Sequence, residues 1–484
     1  MNKLIKNELT KIFKKKNIYI TLLVVLAFVV LTNCIYKFFF TSSNYAYSDN
    51  YIQYTKEELA KLDPNKTSDI KMYIELKTEV DVYDMMNKYE KGAWQRDIVS
   101  TTLSTYLSEK NTYLYGENKD ENKAKETENK INEMLERLDK DDWRYFANTE
   151  LEEAQNSLKE LENKKKETED KQELEEIKSS IESAKIDEEV AKYRIDKDIK
   201  YGNDYRNTAL QKYQSASKSI SSITNVDQLE YSEKTKYNEN VETKEISKYI
   251  IENNQDIEKV NDTRGILKDI FSEYGLFIIV MIIMIAGTIV SEEFNKGTIK
   301  LLLIKPYSRN KILLSKFITM LIMIVFSIVA VIAMELIVGG IIFGYESLSV
   351  PVLEYNFNTQ TLEQINIFTY LGIEILSQLP MLILLGTLAF AFSAIFTNSA
   401  LAIIISLLGY MSANMINMLV IQYKVSFMKF FVTMNWDLSE YLFGGLPSMQ
   451  GMTLGFSVVM CILYFVVMII PTFVLFNKKN IKNI

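Results

Sequence analysis

The chain has no histidine. That absence excludes imidazole acid–base catalysis, histidine-based triads and histidine-ligated metal sites. Its two cysteines, Cys34 and Cys461, both fall within long apolar runs. The large polar segment between the first two runs therefore folds without disulfides, even if it lies outside a cell. No G-x-x-x-x-G-K-[ST] string occurs, and the GTIK at 297–300 lacks the preceding glycine. Without a phosphate-cradling loop, nucleotide hydrolysis has to come from another polypeptide. No catalytic residue, metal site or cofactor is therefore expected in this chain. From Glu117 to Tyr201 there is neither glycine nor proline, which points to long helices.

What is present is sharply segregated. The chain is 48% hydrophobic with a net charge of −7. Residues 41–270 hold 37 Lys+Arg against 51 Asp+Glu, a net of −14, and the remainder carries +7. An acidic, soluble insert thus sits inside a basic membrane protein, and nucleic acid is not an expected partner.

Residues 1–17 are basic, with Lys3, Lys6, Lys11, Lys14, Lys15 and Lys16 against Glu8. Leu4, Ile5, Leu9, Ile12 and Phe13 recur at helical steps, so an amphipathic helix lying in the cytoplasmic interface is expected. Ile18–Phe40 is long enough to cross a ~30 Å hydrocarbon layer. A cleaved signal peptide is the competing reading. No small-x-small site follows and the apolar run continues, so a retained span with its N-terminus inside is favoured. Five further runs, Tyr274–Val290, Phe317–Gly344, Phe368–Phe396, Ala400–Gln422 and Thr453–Phe476, give six spans. Basic residues mark the 291–316 connection and the Lys478–Lys479–Lys482 tail as cytoplasmic. Residues 41–270, the Lys/Arg-free 345–367 loop and 423–452 then fall outside. The 423–452 segment, with Trp436, Gly444, Gly445 and Pro447, reads as interfacial or re-entrant helices. The expected fold is an all-α membrane protein of the plasma membrane, with six transmembrane helices, both termini cytoplasmic and a mostly helical extracellular domain.

Within that domain, Leu151, Ala154, Leu158 and Leu161 step by three and four, as do Leu174, Ile177, Ile181 and Ala184. Such seams suit a coiled-coil hairpin over about 117–201, with its tip in the polar Asn163–Gln172 stretch. One unbroken rod that dimerises in parallel is the alternative.

The stretch SEEFNKGTIKLLLIKPYSRNKILLSK, residues 291–316, carries the most specific pattern. Glu292 and Glu293 open a short helix, placed at about 291–305, that Pro306 ends, and Ser308 can cap the next one. Framed by two spans, this string resembles the loop of type-2 ATP-binding-cassette exporter permeases. In that family an acidic residue, a Gly-Thr pair, a leucine run, a proline and an arginine recur in this order. The resemblance covers roughly the first forty residues and everything after 270; the large insert departs from compact members. It implies a coupling helix that docks on a separate ATPase subunit carrying ATP and magnesium. On this chain the matching positions are Glu292, Glu293, Phe294, Gly297, Thr298, Leu301, Pro306 and Arg309. It also implies pairing with a second copy or a sibling permease. An ordinary amphipathic loop obeying the same charge bias is the plain alternative.

Polar residues inside spans are the candidates for a translocation path: Glu335, Glu374, Asn414 and Asn417. Each carboxylate could instead reach the outer interface or hydrogen-bond a neighbouring helix. The functional expectation is an exporter permease for an amphiphilic, lipid-like, peptide or antibiotic substrate. Two alternatives stay open: a mechanotransmission adaptor acting through the external hairpin, and a surface receptor or adhesin.

Overall fold

The computed structural model describes residues 1–39, 49–223, 225–257, 262–299 and 307–479. They form two compact units, Met1–Thr41 with Ile257–Ile484, and Ser42–Asp256.

Among the described residues, six helices of the first unit are long and apolar enough to cross a membrane. These first to sixth spans are Lys16–Phe38, Ile270–Thr288, Arg309–Phe343, Ile367–Ile395, Ser399–Gln422 and Leu454–Lys478. The second and fourth pack against each other at the centre. The third and fifth flank the second, and the sixth lies on the fourth. The first span and the short helix Asn2–Phe13 rest on the third. Ile278, Ile282, Leu385 and Phe390 fill the middle and are buried. Leu408 and Met415 on the fifth span, and Val459 and Leu463 on the sixth, point outward and are exposed. Apolar residues on every side mark helices whose solvent is hydrocarbon.

Span starts are written in capping residues, which accept the amides a helix leaves unpaired. Asn366 accepts from the Phe368 amide and Asn398 from that of Ala400, both at 2.9 Å. Ser308 accepts from the Lys311 amide, as expected, so the third helix begins well before the apolar run does.

Two connections differ from expectation. Residues 345–367 are not a plain loop: Val352–Asn356 and Thr361–Ile365 pair as an antiparallel hairpin. Asn356 makes the turn by accepting from the Asn358 amide at 2.9 Å, and Gln360 takes φ 55°. Each strand is five residues long, too short for its alternation to stand out. Nor does 423–452, read as interfacial or re-entrant helices, form α-helix among its residues. It is a chain of 3-10 turns, Ser426–Phe430, Val432–Met434 and Ser439–Gly444. Its organiser is Asn435, fully buried, whose amide donates to the Lys429 and Phe431 carbonyls at 2.7 Å. A side chain that binds local backbone this way competes with continuous helix.

The second unit is helical. Trp143–Glu167 and Lys171–Asp196 pack on each other across the three-residue tip 168–170, where Asp170 caps the second helix. Ile177, Ile181 and Ala184 of the proposed seam are buried. The stretch 117–201 holds three helices rather than two, because Glu121–Asp139 ends before Trp143. The break needs neither glycine nor proline. Asp141 takes φ 56°, a left-handed conformation that aspartate tolerates, and Asp142 caps the next helix. Tyr205–Ser221 and Tyr231–Asn253 form another packed pair. The unit closes at Asp256, so Thr263–Lys268, counted with the polar domain on sequence, belongs to the membrane unit.

Candidate functional site

One end of the helical bundle is fastened by a buried charge cluster. The third span brings Lys316 to the base of the 291–299 connection, where the side chain is 1% exposed. Its ammonium donates to Glu8 at 2.6 Å, to the Ile289 carbonyl at 2.9 Å and to Glu293 at 3.3 Å. Lys11 joins the same two carboxylates, at 2.7 Å from Glu293 and 3.1 Å from Glu8. Thr298 donates to the other Glu293 oxygen, and Lys15 pairs closely with Glu292. Glu292 also meets Lys296 at 2.6 Å. Burial by itself would raise the Glu293 carboxyl. The Lys316 and Lys11 ammoniums and the Thr298 hydroxyl outweigh it and hold the group at about 2. Burial likewise opposes the charge of Lys11, but Glu293 and Glu8 push its pKa up.

Several residues expected on a docking face also make contacts within the protein. Glu293 and Phe294 are buried, the latter under the Lys479 ammonium at 4.2 Å. Arg309 turns to the end of the sixth span, donating to the carbonyls of Asn477 at 2.9 Å and Lys479 at 3.1 Å. Glu293 and Phe294 are thus buried, while Arg309 is half-buried. Helix among the described residues of the expected coupling segment is Ser291–Asn295, followed by a turn in which Gly297 takes φ 68°. The exposed part is Asn295–Lys296–Gly297, with Glu292 and Thr298 half-buried beside it. Leu301 and Pro306 lie outside the described residues. The Ser393 hydroxyl accepts from the Val290 amide at 3.1 Å and the Ser291 amide at 2.9 Å, joining the fourth span to the same base.

The opposite end of the bundle holds a cavity of about 480 Å³ beneath the 3-10 turns. It gathers Glu374, Asn414 and Asn417, three of the four expected path residues, with Asp437 and Glu440 from the turns. Tyr410 and Trp436 supply aromatic wall. Asn417 pins the turns by exchanging hydrogen bonds with Thr433, at 2.8 Å to its carbonyl and 2.7 Å from its hydroxyl. Asp437 is held by Gln378 at 3.0 Å. Burial raises the Glu440 carboxyl even though Ser448 donates to it twice. Glu335 does not join this cavity. It is fully buried between the first, second and third spans, accepting from Asn33 at 2.9 Å and Tyr274 at 3.0 Å. Of the two sequence alternatives for this residue, hydrogen bonding to neighbouring helices is the one observed.

Glu8 and Lys316 were readable only as charge in basic segments. A lone acid in a lysine-rich helix, and a lysine in step with Leu313, Phe317 and Met320, are the signals that point inward. Asp437 and Glu440 carried no signal, because irregular turns have no period.

Six lipid-compatible helices among the described residues and buried intramembrane polar groups define a multi-pass, predominantly helical membrane protein. A family described as "Protein of unknown function (DUF2705)" matches residues 245–482. The chain is 33% identical over 209 residues to an uncharacterized protein, YhcI, of Bacillus subtilis (strain 168). That match covers 43% of this chain and 65% of YhcI, just under two thirds of the relative's length. An uncharacterized membrane protein, YdbK, of the same organism is 28% identical over 200 residues, 41% of this chain and 76% of YdbK. No solved structure matches.

Proposed function

We propose that the membrane unit is the permease subunit of an ATP-driven exporter, worked by a separate ATPase seated on the connection between the second and third spans. The observation that carries this reading is the mounting of that connection. The exposed Asn295–Lys296–Gly297 turn stands on a base ion-paired to the Asn2–Phe13 helix and to the third span. A push on the turn is delivered to several helices at once, as a coupling element requires. ATP and magnesium stay on the partner, and a second copy or a sibling permease completes the path. In this arrangement both termini and the 291–308 connection are cytoplasmic, and residues 41–270 are extracellular at the plasma membrane.

The substrate meets the cavity under the 3-10 turns. Glu374, Asp437 and Glu440 line it, and no lysine or arginine is among the described lining residues. Carboxylates beside Tyr410 and Trp436 suit an amphiphile, peptide or antibiotic carrying positive charge, since aromatic faces also attract cations. Gly297→Ala tests the coupling. A Cβ there meets nothing within 4 Å, so the substitution strains only the φ of 68°. The variant should remain in the membrane and bind its ATPase, while export per ATP hydrolysed falls severalfold. If no ATPase co-purifies with the full chain, or if cysteine at 297 is labelled from outside intact cells by an impermeant maleimide, the reading fails.

A mechanotransmission adaptor is the second reading, favoured by the Trp143–Glu167 and Lys171–Asp196 pair with its charged tip. Removing that tip should spare export under the first reading and abolish function under the second.

A further inference from the structure

Glu335, in the third span, is a fully buried carboxyl-bearing side chain with an unpaired oxygen. Its side chain is 0% exposed, and so is that of Asn33. Two donors, the Asn33 amide at 2.9 Å and the Tyr274 hydroxyl at 3.0 Å, both go to the same oxygen, Oε2. The other oxygen, Oε1, has no hydrogen-bond partner, and neither does the Asn33 carboxamide oxygen. Each is a buried acceptor, and each costs free energy while it stays unpaired. The backbone leaves room at Oε1: a Cβ on Gly339 would stand 2.5 Å from it.

Among the described residues, no cation supplies the missing partner. From the first span, Lys37 donates to the Ile342 carbonyl at 2.9 Å, and Tyr36 donates to Glu273 at 2.7 Å. Glu273 and Asp269, at the head of the second span, carry carboxyl groups and offer Glu335 no cation. From the Thr263–Lys268 helix, Arg264 donates to the carbonyls of Pro351 and Ile257, and Lys268 pairs with Glu354 at 3.0 Å. Asp262 accepts from the Gly265 amide at 2.7 Å. An ionised carboxylate without a counter-charge is strongly disfavoured in such a place and takes up a proton instead.

We infer that Glu335 is a proton-binding site: the proton resides on Oε1, while Asn33 and Tyr274 hold Oε2. Binding forms one O–H bond with a proton drawn from water and makes the carboxyl neutral. The bound form also turns Oε1 from an orphaned acceptor into a donor beside an orphaned oxygen of Asn33. The three residues come from the first, second and third spans, so the packing of these helices is tied to one protonation. The site is independent of the export reading and stands whether or not an ATPase docks on this chain.

Infrared difference spectroscopy of the full chain in lipid nanodiscs tests it, with the proton as the ligand and D₂O as its label. The wild type at pH 7 should show a neutral carboxylic-acid carbonyl band that shifts in D₂O and is missing in Glu335→Gln. Tyr274→Phe removes one donor to Oε2 and should move the band's frequency, a change that a purely packing role would not cause. This second variant keeps the test open if Glu335→Gln does not fold. Absence of the band at pH 7 overturns the assignment. Loss of the band on adding sodium or potassium at fixed pH also overturns it, in favour of a metal cation.

Discussion

Replacing Lys316 with methionine probes the clamp most directly. The substitution keeps length and apolar volume and removes the ammonium, together with its bonds to Glu8, Glu293 and the Ile289 carbonyl. Breaking a buried ion pair from one side costs about 3–5 kcal/mol, because the remaining charge stays buried and uncompensated. Here the lower end applies, since Lys11 still reaches both carboxylates. A loss of about 3 kcal/mol is a factor of ~10² in the opening equilibrium of the Asn2–Phe13 helix, at 1.36 kcal/mol per tenfold. Backbone hydrogen exchange of that helix, in the full chain in nanodiscs, reads this locally and needs no reversible global unfolding. Glu8→Gln should cost less, about 1–2 kcal/mol, because Lys316 keeps Glu293 and the Ile289 carbonyl. The double variant should then be better protected than the sum of the two losses requires, as expected for residues in one network. If Lys316→Met leaves the exchange of residues 2–13 within threefold of wild type, the cluster does not hold this helix.

The clamp is also acid-labile with a defined sign. Glu293 sits at about 2 against an ordinary 4.5, so its contribution is complete above pH 4.5 and is lost as pH falls toward 2. The gap amounts to roughly 3 kcal/mol, and Glu293→Gln should flatten the acid-release curve of the Asn2–Phe13 helix in that window. Asn417→Ala removes both bonds to Thr433 and should loosen Val432–Met434 by about 1–3 kcal/mol. Limited proteolysis at 423–435 checks it, and unchanged cleavage there refutes it. Asp170→Ala removes the cap that accepts from the Gln172 and Glu173 amides. It should cost about 0.5–2 kcal/mol, seen as faster exchange in the first turn of Lys171–Asp196.

The spans were legible because lipid imposes a demand that composition alone expresses: about twenty apolar residues in a row. The cap at Ser308 was legible for a similarly local reason. Local rules stop where a side chain's partner is distant in sequence. Glu293 was legible as an acidic helix start, which is a local pattern, whereas its bonds to Lys11 and Lys316 are not. Glu335, Glu374, Asn414 and Asn417 were all visible as polar atoms in hydrocarbon. Which of them share a site depends on helix rotation, and the flanking sequence does not encode rotation strongly when all faces are apolar. The cavity's Asp437 and Glu440 were illegible for the opposite reason, being polar residues in a polar, irregular segment.

The third span carries two buried ionisable side chains, Lys316 and Glu335. Lys316 lies near its start and Glu335 about 28 Å further along, at ~1.5 Å per residue. At the first point the helix is fixed to the Asn2–Phe13 helix and the 291–299 base by paired charge; at the second it meets the first and second spans through a group with no counter-charge. A helix that only needed to be stable would be better served by apolar residues at both positions, because replacing buried charge with well-packed apolar side chains is often stabilising. What charge supplies instead is a unique register at one end and dependence on a proton at the other. Lys316→Met and Glu335→Gln stand too far apart to share a contact, so their effects on helix protection should add within about 0.5 kcal/mol if the span transmits nothing. A larger deviation, measured by hydrogen exchange at both ends in the single and double variants, is the result expected of a lever; strict additivity would reduce the helix to a passive strut.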